Sequence, residues 1–340
     1  MARHPAAKKL GGNLAVKVEA KKNSSIPRIA VVIPCYRVKS HIQDVIKGIG
    51  REVSRIYVVD DACPEKTGEF VKAQFKDKRI QVLSHSENQG VGGAVITGYK
   101  KAMTDGMDVV VKIDGDGQMS PSLISTIAKP VVLGLADYSK GNRFDSLENL
   151  FGMPRIRILG NAVLSIWSKV SSGYWSITDP TNGFTAIHKK ALEAINLEKV
   201  RKTYFFESDM LFRLSIANCV VSDVPMLAVY GQEKSNLKIY KVLFEFPWRH
   251  TINFLKRIFY KFYLREWSVG SFELPFGLAL IIFGAWFGLS SYLAASAEGV
   301  PTTAGQVTAS AVALILGVQL LLSFLSYDIQ SEPRIPRQTR

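Results

Sequence analysis

Residues 109–118 read VVVKIDGDGQ, an apolar run, Val109–Ile113, broken off by Asp114-Gly-Asp116-Gly-Gln118. A short β-branched run ended by acids and glycines has the form of a buried strand opening into a turn. Two carboxylates one residue apart at a strand end cannot both enter the core. On a turn they can converge on a divalent cation. Mg²⁺ or Mn²⁺ takes oxygen ligands and commonly shares them with substrate phosphates. The plain alternative is a solvated Asp-Gly turn.

Outward from this stretch the same pattern repeats. Ile29–Ile33 is an apolar run that stops at Pro34, Ile56–Val59 stops at Asp60-Asp61, and Ile80–Leu83 is a third. Helical patterns lie between them at His41–Ile49, Thr67–Phe75, Val91–Met103 and Pro121–Leu135. The alternation predicts an α/β fold, a mostly parallel sheet with helices on both faces. Ligands then bind beyond the carboxyl ends of the strands. Pro34, Tyr36, Asp60, Asp61, Asp114 and Asp116 all fall there. Tyr36 is placed to stack on a base. Asp60 and Asp61 are placed to accept a base N–H or a ribose hydroxyl, or to cap a turn. The glycine-rich Glu87–Ala94 opens a helix; it either cradles phosphate or permits close packing, and it lacks the GxxxxGK[ST] pattern. Asp179–Phe184 is a turn feeding an apolar strand. Glu207-Ser-Asp209 opens a helix, as a base or acceptor contact or as dipole-stabilising acids. Arg143 and Arg157 are candidate diphosphate contacts, with surface arginine as the alternative.

The chain has 340 residues, of which 47% are hydrophobic. That excludes disorder or a collagen-like repeat as a whole-chain reading. Cys35, Cys63 and Cys219 have neither zinc spacing nor a disulfide framework, which favours a reducing compartment. The net charge is +14. Residues 1–28 hold seven Lys or Arg against one Glu, and residues 238–266 hold seven against two Glu. A basic tail and a basic stretch before an apolar region fit an anionic membrane surface. Nucleic acid is not expected, because no zinc-finger, RRM or helix-turn-helix signature is present. Residues 1–26 lack apolar periodicity and read as a disordered basic tail, without the apolar core of a signal peptide.

Toward the carboxyl end, Leu274–Ala295 is 22 residues without charge and Val307–Leu325 is 19. Each approaches the ~20 residues needed to span a bilayer. Lys and Arg flank the pair on both outer sides, and the linker 296–306 carries only Glu298. The positive-inside rule therefore places both flanks in the cytoplasm. Residues 237–267 interleave aromatic and basic residues and read as interfacial amphipathic helices broken at Pro247. The expected division is a catalytic domain at 27–236, interfacial helices at 237–267, a two-helix transmembrane domain at 272–327 and a cytoplasmic tail at 328–340.

The ordered set VVIPCYR, VVDDACPEKT, ENQGVGGAVITGYKKA, VVKIDGDGQMSP, GNRF, DPTNGFTAI and FFESDMLFRL resembles the family-2 glycosyltransferases, which have the GT-A fold. Within that family the chain, over about residues 28–327, is similar to dolichol-phosphate mannosyltransferases and bacterial polyprenyl-phosphate glycosyltransferases. The resemblance implies a nucleotide-sugar donor, linked to UDP or GDP, and a polyprenyl phosphate acceptor. It implies that Pro34, Tyr36 and Asp61 hold base and ribose, with Asp60 beside them. Asp114 would line the nucleotide site. Asp116, helped by Gln118, would bind the metal. Arg143 and Arg157 would contact phosphates, and Glu207 or Asp209 would serve as the catalytic carboxylate. The subgroup's Arg-x-x-Gly-x-Ser-Lys segment is altered here to Tyr230–Lys238, which keeps Ser235 but lacks the Arg; Lys234 or Lys238 then takes the acceptor phosphate. The implied reaction is an inverting transfer in cell-envelope assembly, at a bacterial inner membrane. Two other readings stand beside it: transfer to a saccharide hydroxyl, and a non-catalytic membrane partner, against which Asp114, Asp116 and Gln118 speak. Homo-oligomerisation is left open.

Overall fold

The computed structural model describes residues 27–145, 155–226 and 239–340. The expected tail at 1–26, and Lys234 and Lys238, lie outside them. Seven strands form one sheet: β1 (Ile29–Cys35), β2 (Val53–Asp60), β3 (Ile80–Ser84), β4 (Val109–Lys112), β5 (Tyr138–Asn142), β6 (Thr185–His188) and β7 (Val221–Pro225). Their order is β3-β2-β1-β4-β6-β5-β7. β6 alone runs antiparallel to its two neighbours.

Helices α1 (Ile42–Gly48), α2 (Thr67–Gln74), α3 (Val91–Thr104), α4 (Ile124–Val132), α5 (Arg155–Ser172), α6 (Lys189–Ala194) and α7 (Phe206–Ile216) surround the sheet. Side chains alternate across a strand, so each strand feeds two cores. Ala30, Val32 and Val110 pack with α3 and α7. Val31, Ile33 and Val111 pack with α1, α2 and α4. Full burial of each such Val or Ile contributes ~1.5–3 kcal/mol, which is why these runs carry so few polar residues. The expected helix at Pro121–Leu135 is a 3₁₀ turn, Pro121–Leu123, followed by α4.

The carboxyl-terminal third forms α8 (Ile239–Phe259), a π-helical turn at Tyr260–Arg265, and the long helices α9 (Val269–Ala297) and α10 (Ala304–Gln330). The last two are long and apolar enough to cross a membrane, with mean hydropathy of 1.8 and 2.1. Their mutual contact is made by small residues. Gly277 and Gly317 meet backbone to backbone, and Ser310 Oγ donates to the Gly284 carbonyl at 2.7 Å. Large side chains such as Phe276, Trp286 and Ile315 point outward. This is the packing expected when lipid, not water, surrounds a helix pair.

One expectation is corrected. α8 is not broken at Pro247 but runs through it. A proline costs one backbone hydrogen bond, and packing across the position offsets that loss. Phe246 and His250, one turn apart on either side of Pro247, both pack on Phe205, at 5.3 and 4.9 Å between ring centroids. The stretch expected as a cytoplasmic tail, 328–340, begins inside a helix and then packs on the protein. α10 continues to Gln330, and the chain then folds back on the catalytic domain, where the Arg337 and Gln338 N–H groups donate to buried Asp137 at 2.7 and 2.9 Å.

Candidate active site

β1, β2 and β4 are parallel neighbours, so their carboxyl ends lie side by side. The chain leaves them as Tyr36-Arg37, Asp61-Ala62 and Ile113-Asp114. β6 runs the other way, and its first residue, Thr185, pairs with Lys112 on β4 and Lys140 on β5. Asn182-Gly183-Phe184 is thereby delivered beside Asp114.

Paired residues in register share a sheet face, so Lys112 and Lys140 both face the α3 and α7 side. Lys112 is 1% exposed; its Nζ lies 2.8 Å from Asp114 Oδ1 and 3.1 Å from Glu207 Oε1, in the first turn of α7. Burial disfavours the ammonium, but the two carboxylates outweigh it and hold Lys112 above the usual lysine range. Lys140 donates to the Asn182 carbonyl. Here burial dominates over the pull of Glu207 and Asp179, and the pKa falls to about 8. Gly183 closes the group. A Cβ there would stand 2.5 Å from Lys112 Nζ and 2.6 Å from Asp114 Oδ2, so no side chain fits.

Asp116 lies in the following turn, where the Gln118 N–H donates to its Oδ1 at 3.0 Å. Gly117, at φ +78°, makes that turn beside the His41 ring. The donors in this loop are hard oxygens. Among the described residues no three His, Cys, Asp or Glu side chains converge on one point. A Mg²⁺ or Mn²⁺ ion needs no such cage, since one or two carboxylates suffice when phosphates and water complete the shell. The residues present fit that kind of metal.

Arg143 leaves β5 and forms a bidentate pair with fully buried Asp179, Nε–Oδ2 at 2.7 Å and Nη2–Oδ1 at 2.9 Å. The guanidinium expected at a diphosphate is thus fixed by a carboxylate, with 21% of its side chain still in solvent. Arg157 falls in the first turn of α5, and its side chain is outside the described residues. Pro34 lies within β1, and Tyr36 is exposed beneath the Arg37 guanidinium at 5.4 Å. Arg37, Ala62 and Lys66 all have φ between +52 and +58°. Arg37 and Ala62 sit just beyond β1 and β2, and Lys66 sits at the start of α2, in loops where strain marks function more often than elsewhere.

Several expected site residues have structural partners instead. Asp60 accepts from the Cys63 N–H at 2.7 Å and the Gly68 N–H at 2.5 Å, which anchors the turn into α2. Asp61 accepts from the Gln89 and Gly90 N–H groups, both at 2.8 Å, and from His85 Nδ1 at 2.7 Å. Both aspartates are buried where backbone donors need partners. The Glu87–Ala94 loop is likewise a packing element. The Gly92 N–H, in the first turn of α3, donates to the Lys202 carbonyl at 2.9 Å.

Asp209 does not join the carboxylate group that Glu207 joins. Two residues apart on a helix are about 200° apart around its axis. Asp209 is buried and accepts from the Arg201 N–H and Arg213 Nε, both at 2.9 Å, and from Asn253 Nδ2 on α8 at 3.4 Å. These bonds make Asp209 a tie between α7 and α8. The residues that sequence reasoning missed are Lys112, Lys140 and Asp179. A lysine inside a buried apolar strand was the available signal, since burial demands an acid nearby.

Residues 30–195 match Glycosyl transferase family 2. The chain carries a family 2 glycosyltransferase domain. Its enzymatic class is glycosyltransferase, and its architecture is the GT-A type. It is 28% identical over 218 residues to UDP-N-acetylglucosamine–dolichyl-phosphate N-acetylglucosaminyltransferase of Methanococcus voltae, covering 60% of this chain and 86% of that one. It is 29% identical over 209 residues to undecaprenyl-phosphate mannosyltransferase of Micrococcus luteus, covering 59% and 84%. Among solved structures, mannosyl-3-phosphoglycerate synthase of Rubrobacter xylanophilus superposes with a TM-score of 0.51 at 14% identity, over 71% of this chain and 77% of that one. That likeness concerns the fold alone.

Proposed function

We propose that this glycosyltransferase moves a sugar from a UDP- or GDP-linked donor to a polyprenyl phosphate held in a membrane, inverting the anomeric centre. The observation that carries the reading is the hairpin of α9 and α10 built onto the catalytic domain. The apolar windows of these helices are only 11% and 17% buried. Core helices of a soluble protein would be mostly buried, so lipid is the medium that suits them. α8 presents Trp248, Leu255 and Phe259 outward among lysines and arginines, a surface suited to anionic headgroups. The basic flanks of the hairpin favour a cytoplasmic catalytic domain. The two relatives, named for dolichyl and undecaprenyl phosphate, support the acceptor class.

In this reading Pro34 and Tyr36 receive the base, and Asp114, oriented by Lys112, lines the diphosphate end. Asp116 with Gln118 would hold the divalent ion. When bound, that ion neutralises charge building on the leaving diphosphate. Arg143, held rigid by Asp179, directs positive charge at the same oxygens, and Arg157 is the second candidate for that role. Preoriented donors cost no reorganisation as that charge develops. Lys234 or Lys238 receives the acceptor phosphate.

The carboxylates bear on the acceptor. A sugar hydroxyl needs a positioned base. A phosphate monoester has already lost one proton, and its second leaves near about pH 6. Glu207 is paired with Lys112 and Asp209 with Arg213. Neither is a free base, which favours a phosphate acceptor over a saccharide hydroxyl. Incubating membranes that contain the protein with a panel of radiolabelled nucleotide sugars tests the reading. Label should enter a lipid that mild acid releases. Label in glycan alone, or none with any donor, overturns it.

A further inference from the structure

We infer that Asp328 is a positioning residue for the transfer, fixing the Trp175–Asp179 segment, and through it Arg143, at a set place relative to the two apolar helices. Asp328 stands near the end of α10 and is 2% exposed. Its carboxylate takes both guanidinium nitrogens of Arg257 on α8, Nη1–Oδ1 at 2.7 Å and Nη2–Oδ2 at 2.9 Å. Lys261 Nζ lies 3.3 Å from Oδ1. α8 alone could satisfy this charge, yet the bonding continues into the catalytic domain. Trp175 Nε1 donates to Asp328 Oδ2 at 3.1 Å, and Arg257 Nη2 donates to the Val170 carbonyl at 2.9 Å. Gly173, at φ +76°, lets the loop wrap the guanidinium; a Cβ there would lie 2.6 Å from Arg257 Nη1. Just beyond the helix, Glu332 accepts from the Ser176 N–H at 3.2 Å and from its hydroxyl at 2.5 Å.

The same segment then enters the site. The Thr178 N–H donates to Asp223 at 2.8 Å, the Thr178 carbonyl accepts from Ser165 at 3.0 Å, and Asp179 grips Arg143. Ser176 and Asp179 are three residues apart, at most ~11 Å of extended chain. Every stage of that path is bonded, so little slack lies between the end of α10 and Arg143.

The consequence differs for the two substrates. A nucleotide donor arrives from water and meets the site at any height above the membrane. A lipid phosphate arrives at a height fixed by the bilayer, so its approach depends on where the apolar helices hold the site. This step rests on the proposed lipid acceptor. Misplacement by about 1 Å can cost roughly 10²-fold in rate.

The test uses the full chain in vesicles containing polyprenyl phosphate. Asp328→Asn and the milder Trp175→Phe, which removes one donor and no charge, are compared with the parent protein. Nucleotide affinity should fall a fewfold at most, through Arg143, while kcat on the lipid acceptor falls much further, by roughly 10²-fold for Asp328→Asn and less for Trp175→Phe. Backbone amides at Thr178 and Asn182 should exchange hydrogen faster in both variants. Parallel loss of nucleotide binding, or unchanged exchange at those amides, overturns the inference. A parent protein that labels no lipid defeats the proposed acceptor instead, and the exchange comparison still decides the coupling.

Discussion

Among the described residues two sealed cations, Lys112 and Arg257, meet carboxylates, and the two clusters differ in what they leave open. At the strand ends Lys112 is sealed, but Asp114 and Glu207 keep 29% and 13% of their side chains in solvent. At the end of α10 both partners are sealed, Arg257 at 1% and Asp328 at 2%. A sealed cation with half-open acids orients charge toward something that enters. A sealed cation with a sealed acid grips only its own chain. Removing Asp328 leaves Arg257 an uncompensated buried charge, a loss of roughly 3–5 kcal/mol, and removing Lys112 leaves two acids without their shared cation. In the proposed reading a second loss separates the clusters, chemistry in one and placement in the other.

The largest effect that would sharpen this contrast lies at Asp116. Asp116→Asn should lower turnover by at least roughly 10³-fold in a protein that remains folded, as expected when stabilisation of a developing charge is removed. EDTA should abolish activity in the parent protein, and Mg²⁺ or Mn²⁺ should restore it. Full turnover in EDTA would refute the metal. Lys112→Met comes next. It frees Asp114 and Glu207 from their shared cation, so turnover should fall about 10²-fold through misplaced groups. Thermal unfolding and nucleotide affinity, measured together, separate this from collapse. If Lys112→Met lost stability but kept full turnover, the strand-end cluster would be merely a grip like the other one.

Asp209→Asn should have a smaller kinetic effect, roughly tenfold or less, because a base worth 10²–10⁴ is not being removed. Its cost should appear as a lowered midpoint of thermal unfolding, since Arg213 loses its charged partner. A 10³-fold fall in turnover with normal stability would return Asp209 to the chemistry and reopen the saccharide-hydroxyl reading.

Asp209 also marks how far the sequence could be read. The apolar runs of β1 to β4 and the acids at their ends were legible because parallel strands bury both faces and ligands sit beyond their carboxyl ends. The two long apolar helices were legible from length alone. β5 was not: Tyr138-Ser-Lys-Gly-Asn contains no apolar run, yet every residue of it is buried. Its polarity is absorbed internally, Ser139 by the Ile127 carbonyl and Lys140 by that of Asn182. The acids at 207 and 209 looked equivalent on paper, and only the neighbours of α7 tell them apart. Arg257 and Asp328 were illegible as a pair, since 71 residues separate them and nothing local to either names the other.

His250 offers the last and mildest test, as a buried group that remains neutral where the two clusters remain charged. It sits on α8 between Asn253, which reaches Asp209, and the Ser171 hydroxyl, 2.7 Å from its Nδ1. Phe205, Phe246 and Trp167 surround the ring, and Arg249 lies against Phe205 on the same helix. Burial pushes its pKa down from the ordinary 6.5 to about 4. The unfolded chain therefore binds a proton near pH 6.5 that the folded chain refuses until about pH 4. Where the unfolded state holds more protons, stability falls as pH falls. Above pH 6.5 both states are neutral at this site and it has no effect. Between pH 6.5 and about 4 the protein should lose roughly 3 kcal/mol through this residue, at 1.36 kcal/mol per unit. His250→Gln, which keeps a polar contact for Ser171 but cannot take up a proton, should remove that part of the acid sensitivity. Unfolding midpoints measured across that pH range check it. Were the two proteins to lose stability in parallel as the pH falls, the acid response would belong to the charged clusters, and α8 would be held by them alone.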